Sequence, residues 1–288
     1  EADSRQAGLD ILVQRGWVIY RAIRSRYWPG LSNVVIAQVW MRRGAWDGPS
    51  VLNGTTVGAI SPSLEVPSRS GGEPRQLIEN RSLCFLGSLT TGMGFILDRE
   101  EATALLESHP HYREVLKPYM TGSDVANSFD LVGRRWAIDF GDRSLAECGA
   151  RFPLLLDIVR ERVKPDRDRL PDRRKRLRAF WWQYEHRAQQ VYTYAVEHRS
   201  LLVLPRVSKY IGAARAPSNQ IFSTKVVSIL DESDAMFGIV SSNWHVAWAL
   251  RFGGRLKTDP VYDPGAVFGT YPRPSFTDRI ADVAAKLE

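Results

Sequence analysis

Leu9, Leu12 and Val13 form a short apolar stripe at helical spacing, and Gly16 closes it. Two runs rich in β-branched residues follow, WVIYRAI and NVVIAQVWMRR (Asn33–Arg43), and predict strands around the turn SRYWPGLSN. LCFLGS is strand-like. Asp98 with Glu101 predicts an N-cap pair for the helix REEATALLESH. KPYMTGSDV reads as a loop, RRWAIDF as a strand, and FPLLLDIVRERV as an amphipathic helix stopped by Pro165. Trp181, Tyr184, Ala188, Val191 and Ala195 fall close to one helical stripe. SLLVLPRVSKY and QIFSTKVVSIL predict a pair of strands. SDAMFGIVSSNWHVAWALRF predicts one long helix, with Phe237, Val240, Trp244, Trp248 and Phe252 on one face and Gly253 just past its end. The alternation of both periods predicts a mixed α/β (α+β) fold. No internal repeat is present.

The stretch SPSLEVPSRSGGEPRQ (Ser61–Gln76) is rich in Pro, Ser and Gly and reads as a linker. Before it, helix, strand, turn and strand in 43 residues make the tail of a sheet, so the chain is expected to begin inside a larger fold. No apolar run reaches the ~18 residues that a membrane span needs, and no signal peptide opens the sequence. Cys84 and Cys148 are too few for a disulfide framework, and both are expected to be buried thiols in a reducing cytoplasm.

Charge changes the picture. The chain of 288 residues carries a formal net charge of +7. Between Arg160 and Arg187 there are 11 Lys or Arg against 5 Asp or Glu, so this one segment holds +6. Such a local concentration fits an anionic partner. The run Arg173, Arg174, Lys175, Arg176, Arg178 is followed at once by AFWW and then Arg187, and cations beside aromatics suit a phosphate-tracking surface. A solvated surface loop is the plainer alternative. PRVSKY ends a predicted strand with Arg206, Ser208 and Lys209, and Lys225 lies in the next strand. If these strands pair, the four share a surface from which phosphates or base edges can be contacted. An ordinary exposed turn, with Arg206 paired to a carboxylate such as Asp231, is the alternative. GSLTTGMGF (Gly87–Phe95) lacks the Gly-Lys-Ser/Thr of a phosphate loop and reads as a turn between strands. His109 and His111 lack a third ligand at metal-site spacing.

The closing stretch RLKTDPVYDPGAVFGTYPRP fits no helix or strand period. It resembles the end of the target-recognition region in large single-chain restriction–modification methylases (types IIG and IIL) and related phage-defence methylases. There a helix leads to a basic turn, a Tyr and an aromatic-x-Thr-aromatic-Pro motif, matched here by Lys257, Tyr262 and FGTYP (Phe268–Pro272). FGIVSSNWHVAWAL resembles the preceding helix, with Ser242 and His245 in place. KPYMTGSDV, RRWAIDFGD and VLPRVSKY match the family in its order. The stretch RQAGLDILVQRGWVIYRAIRSRYWPGLSNVVIAQVWMRRG (Arg5–Gly44) resembles the last hairpin of the same family's methyltransferase domain.

The resemblance implies residues 1–60 as the end of a methyltransferase domain, 61–76 as a linker, 77–274 as a DNA target-recognition domain and 275–288 as a C-terminal helix. It implies double-stranded DNA as partner. Arg173, Arg174, Lys175, Arg176, Arg178, Arg187, Arg255 and Lys257 would face its backbone, and Arg206, Ser208, Lys209 and Lys225 would be candidates for base readout. The family's S-adenosylmethionine loop and Asn-Pro-Pro-Tyr/Phe motif are missing, and the chain contains no NPP. Methylation of adenine at N6, and its cofactor, are therefore expected from an upstream domain of a parent enzyme, and none of the catalysis from this chain. A complete enzyme such as a nuclease with dispersed acids, or a non-catalytic interaction module, are the other classes the residues leave open.

Overall fold

The computed structural model describes residues 5–29, 34–67, 74–256, 259–274 and 278–286. It divides into two compact units, Glu1–Arg75 with Gly254–Pro260, and Gln76–Gly253 with Val261–Glu288.

In the first unit a π-helical turn (Arg5–Asp10) runs into α1 (Ile11–Gln14), which ends at Gly16 in the left-handed region (φ 84°). A four-stranded sheet follows, in the order β2 (Val35–Arg43), β1 (Trp17–Tyr27), β3 (Ser50–Leu52), β4 (Thr55–Val57). β1 and β2 are antiparallel, whereas β1 and β3 are parallel. β1 runs on through Tyr27, past the point where the SRYW sequence predicts a turn. Its register shifts between Ile23 and Arg26, where Ser25 has φ 52°, so a bulge absorbs the misfit and pairing resumes. Ile19, Ala22, Ile60 and Leu64 form the small core.

The second unit holds two four-stranded sheets. One has the order β10 (Ala214–Pro217), β9 (Ser200–Pro205), β12 (Val226–Ile229), β5 (Cys84–Leu86), all antiparallel. The other has the order β11 (Ile221–Phe222), β7 (Leu116–Met120), β8 (Arg135–Ile138), β6 (Ile96–Leu97). The continuous apolar run LLVL in β9 is explained by burial on both faces. Leu202 and Leu204 enter a cluster with Met236, Val240 and Phe268, while Leu201 and Val203 enter one with Met120, Val191 and Phe222. A third core gathers Phe95, Tyr112, Phe152, Trp181, Trp182 and Tyr184. Cys84 and Cys148 are both buried free thiols.

Several sequence expectations change here. KPYMTGSDV is not a loop. It is β7 followed by a short helix (Gly122–Asn127), which the Thr121–Asp124 capping box starts. The helix Pro153–Arg162 ends as expected just before Pro165, with Val163 as its C-cap, but the chain does not enter a loop: Pro165 sits in the first turn of a second helix, Lys164–Asp168, where its missing N–H costs nothing. The helix foreseen from Trp181 begins only at Gln189 and ends at Glu197. Trp181 and Trp182 are both buried and adjacent, which one helix face cannot accommodate. The long C-terminal helix is two, Asp234–Ser241 and Asn243–Phe252. Ser242 leaves helical geometry (ψ 148°), and its hydroxyl accepts from His245 N as an N-cap. Trp244 consequently lies 82 % exposed rather than on the apolar face. Gly253 is not left-handed (φ −73°). It is small because a Cβ there would stand 2.5 Å from Ala249 O and 2.8 Å from Val261 O.

Candidate nucleic-acid interface

β9 and β12 pair in register, Pro205 opposite Val226, so the two strand ends that carry Arg206 and Lys225 lie side by side. Arg206 N donates to Lys225 O at 2.8 Å, and Tyr262 N donates to Arg206 O at 2.7 Å. Two neighbouring segments therefore clamp the backbone of Arg206. Its side chain is half-buried, its Nε is sealed from water, and it has no hydrogen-bond or ionic partner among the described residues. Asp231 does not pair with it: that carboxylate accepts from Ser233 N at 2.8 Å. Lys225 is exposed, and its backbone N–H donates to Ser223 Oγ at 3.2 Å. Ser208 Oγ accepts from Tyr210 N at 3.3 Å, and the Lys209 ammonium sits 5.2 Å from the centre of the exposed Tyr210 ring.

The aromatic closing segment holds this strand end from behind. His245 is fully buried, and Val240 O accepts from its Nδ1 at 2.8 Å. A carbonyl can only accept, so Nδ1 carries the proton and Nε2 accepts from Tyr262 Oη at 3.0 Å. Burial pushes the His245 pKa down to about 4, against the Val240 hydrogen bond, and the ring is neutral. Trp248 Nε1 donates to Thr270 Oγ1. Buried Asn80 donates through Nδ2 to Phe268 O and Tyr271 O at 2.8 and 2.9 Å, and its Oδ1 accepts from Arg273 Nε at 2.6 Å. FGTYP is thus pinned through its backbone and Thr270, its Tyr271 ring packs on His245, His245 holds the Tyr262 hydroxyl, and the Tyr262 N–H holds the Arg206 carbonyl.

The loop Gly87–Gly94 links the strand end to the basic run. Gly87 N donates to Val226 O and Ser88 N to Phe222 O. A Cβ on Gly87 would lie 2.2 Å from Phe222 O, so only glycine allows that approach. Leu89 and His186 then exchange both backbone hydrogen bonds, at 2.8 and 3.3 Å. A cavity of about 470 Å³ opens along this belt, with Leu89, His186, Thr224 and Asp263 in its walls. One residue before His186, Glu185 ties down the basic run. Its carboxylate accepts from Arg174 and Thr91, and its carbonyl accepts from Arg176 Nη1 at 3.2 Å.

The run itself is ordered, as a turn Asp172–Arg174 and a helix Lys175–Ala179 that buries Leu177. Arg178 pairs with Asp172 at 2.5 Å. Arg173 and Lys175 are exposed and have no acidic partner among the described residues. Arg187 points inward: its Nε donates to buried Asp139 at 2.8 Å, and its guanidinium stacks on Tyr192 at 4.5 Å. Burial opposes the Arg187 charge, but the Asp139 carboxylate outweighs it and raises its pKa. Arg255 is exposed on the strand Gly254–Leu256, and Lys257 lies outside the described residues. Sequence reasoning missed Glu185 and Thr91, because their contacts span 11 and 94 positions and follow no local spacing.

The family model of the MmeI target recognition domain matches residues 74–275. DNA methyltransferase A of Bacillus subtilis (strain 168) is 34% identical over 82 residues, which is 27% of this chain and 9% of that protein. The solved structure of the type IIL restriction-modification enzyme MmeI in complex with DNA superposes with a TM-score of 0.78 at 19% identity. That superposition covers 98% of this chain and 39% of the MmeI chain, so this chain spans well under half of the solved enzyme. With more than half of its length matched by the family model, the chain belongs to the MmeI target recognition domain family.

Proposed function

We propose that this chain reads a double-stranded DNA sequence on behalf of a methyltransferase domain elsewhere in its parent protein. The observation that carries the reading is Arg206. A guanidinium without an internal partner among the described residues stands at the end of a strand buried on both faces, beside the exposed Lys225. A rigidly based, unpaired arginine suits bidentate contact with guanine O6 and N7 in the major groove. Ser208, Lys209 and Lys225 are the remaining readout candidates. Arg173, Arg174, Lys175, Arg176, Arg178, Arg187, Arg255 and Lys257 are assigned to the phosphate backbone. Arg173 and Lys175 carry most of that work, because the others in the run, and Arg187, already have internal partners.

In this reading residues 1–60 are the end of a class I methyltransferase sheet, 61–76 a linker, 77–274 the recognition domain and 275–288 a C-terminal helix. The parent is a DNA adenine-N6 methyltransferase that uses S-adenosylmethionine in restriction–modification or phage defence, and it works in the cytoplasm. No helix among the described residues is long and apolar enough to cross a membrane. Gly87 is packed against the backbone of Phe222 and Ser223, so the close approach that this glycine allows is taken up by protein.

The test is a salt titration of duplex binding by this chain, with calorimetry against S-adenosylmethionine alongside. Duplex affinity should fall log-linearly with salt, and the cofactor should give no binding heat. Salt-independent binding, or none, would overturn the DNA assignment. Stoichiometric cofactor binding would overturn the division of labour.

A further inference from the structure

The basic segment contains one cation that cannot reach solvent. Arg167 is 2 % exposed. Its Nη2 donates to Thr90 O at 2.8 Å, while its Nε and Nη1 have no hydrogen-bond partner. Burial pulls its pKa down, and the carboxylate opposing that is Glu185. Glu185 Oε2 takes hydrogen bonds from both Thr91 Oγ1 and Arg174 Nη2. The Thr91 hydrogen bond foremost, working against burial, and then Arg174 and Arg167, hold this carboxyl below its ordinary pKa. The Thr91 and Gly92 backbones are both left-handed (φ 52° and 105°), so the loop turns sharply at the residue whose hydroxyl reaches the carboxylate. A hydroxyl and a half-buried guanidinium therefore converge on one anionic oxygen, with the buried Arg167 held on the neighbouring Thr90 carbonyl. That is the donor set of a phosphate site. It lies on the belt that joins the basic run to Arg206, one residue from the His186–Leu89 pairing.

We propose that Thr91 and Arg174 form a binding position for a DNA backbone phosphate, with the buried charge of Arg167 behind it, and that the Glu185 carboxylate fills it in the free protein. This rests on the DNA-recognition reading above. Binding exchanges one anion for another: a phosphate oxygen takes the hydrogen bonds of Thr91 and Arg174, and Glu185 turns out to water. Arg167 stays beneath and supplies field to whichever anion is present.

Glu185→Gln removes the competing charge and keeps an oxygen that can accept from Thr91. It should bind every duplex more tightly than the wild-type chain, irrespective of sequence. Arg174→Gln in the otherwise unaltered chain should lower the log–log salt slope by about 0.9. Inorganic phosphate should raise the Tm of Glu185→Gln and leave that of the Arg174→Gln, Glu185→Gln double variant unchanged. If Glu185→Gln fails to fold, Glu185→Asp keeps a charge near Arg167 while shortening the reach to Thr91 and Arg174. It should also tighten duplex binding. A folded variant that binds duplexes no better than wild type, with no phosphate-dependent rise in Tm, overturns the proposal while leaving wild-type DNA binding as evidence for the reading. A phosphate effect in a wild-type chain that binds no duplex overturns the DNA backbone as the source and with it that reading.

Discussion

The strand end at Arg206 and the run Arg173–Arg178 are both basic, yet they are built in opposite ways. Arg206 stands on a strand whose alternate side chains enter two different cores, and hydrogen bonds from two neighbouring segments clamp its backbone. Its charge has no internal partner among the described residues. The run is carried by a turn and one short helix with Leu177 as its buried anchor, and Arg174 and Arg178 are matched to Glu185 and Asp172. Base readout needs donors placed to a few tenths of an ångström, whereas phosphate contact tolerates play. Under the proposed function, the difference assigns holding of DNA to the dense charge of the run and reading to the rigidly based, unpaired donor at Arg206.

The strongest way to break this comparison is to neutralise Arg173, Arg174, Lys175, Arg176 and Arg178 together. Affinity for all duplexes should fall alike, and the log–log salt slope should drop by about 0.9 for each phosphate the variant no longer neutralises. A change in the preferred sequence would mean that the run reads bases. An unchanged slope would make it a solvated surface.

The support beneath Arg206 is sensitive to pH. The folded His245 pKa is about 4, against a usual 6.5. The unfolded chain therefore binds a proton that the folded one refuses, and stability is full above about pH 6.5 and falls as the pH drops toward 4. The shift corresponds to about 3 kcal/mol. Chemical denaturation across this window should show the loss, and His245→Gln should flatten that part of the profile. An equally steep profile in His245→Gln would assign the effect to other groups.

A smaller effect should follow from Asp172→Asn. Its pair with Arg178 is surface-exposed, so stability should change by no more than about 1 kcal/mol. Releasing Arg178 should tighten duplex binding slightly and without sequence preference. A marked loss of stability, read by denaturant titration, would show that the pair holds the run in place.

How much of this was legible follows from the range of the interactions. The β9–β12 pairing was readable because LLVL and VVSI are apolar runs of strand length bounded by polar ends, and it brought Arg206 beside Lys225 as expected. The Asp98 cap was readable because its bond to Glu101 N is local. The helix that begins at Gly122 was missed although Thr121 and Asp124 have capping-box spacing, since GSD also suits a turn. The break at Ser242 was hidden because the apolar spacing Val240, Trp244, Trp248, Phe252 runs across it in the sequence, although the break leaves Trp244 exposed. Nothing in the local sequence ties Glu185 to Thr91, or Asn80 to Phe268. Those contacts exist only once the sheets have formed.

The most direct measurement is selection of bound duplexes from a randomised pool by the wild-type chain, Arg206→Ala and Arg173→Ala. Arg206→Ala should lose preference at a single base-pair position, a discrimination of roughly 1–3 kcal/mol, and keep the rest of the motif. Arg173→Ala should keep the whole motif with uniformly weaker binding. An intact motif with uniform loss in Arg206→Ala would contradict the account, because Arg206 would then only position the DNA backbone.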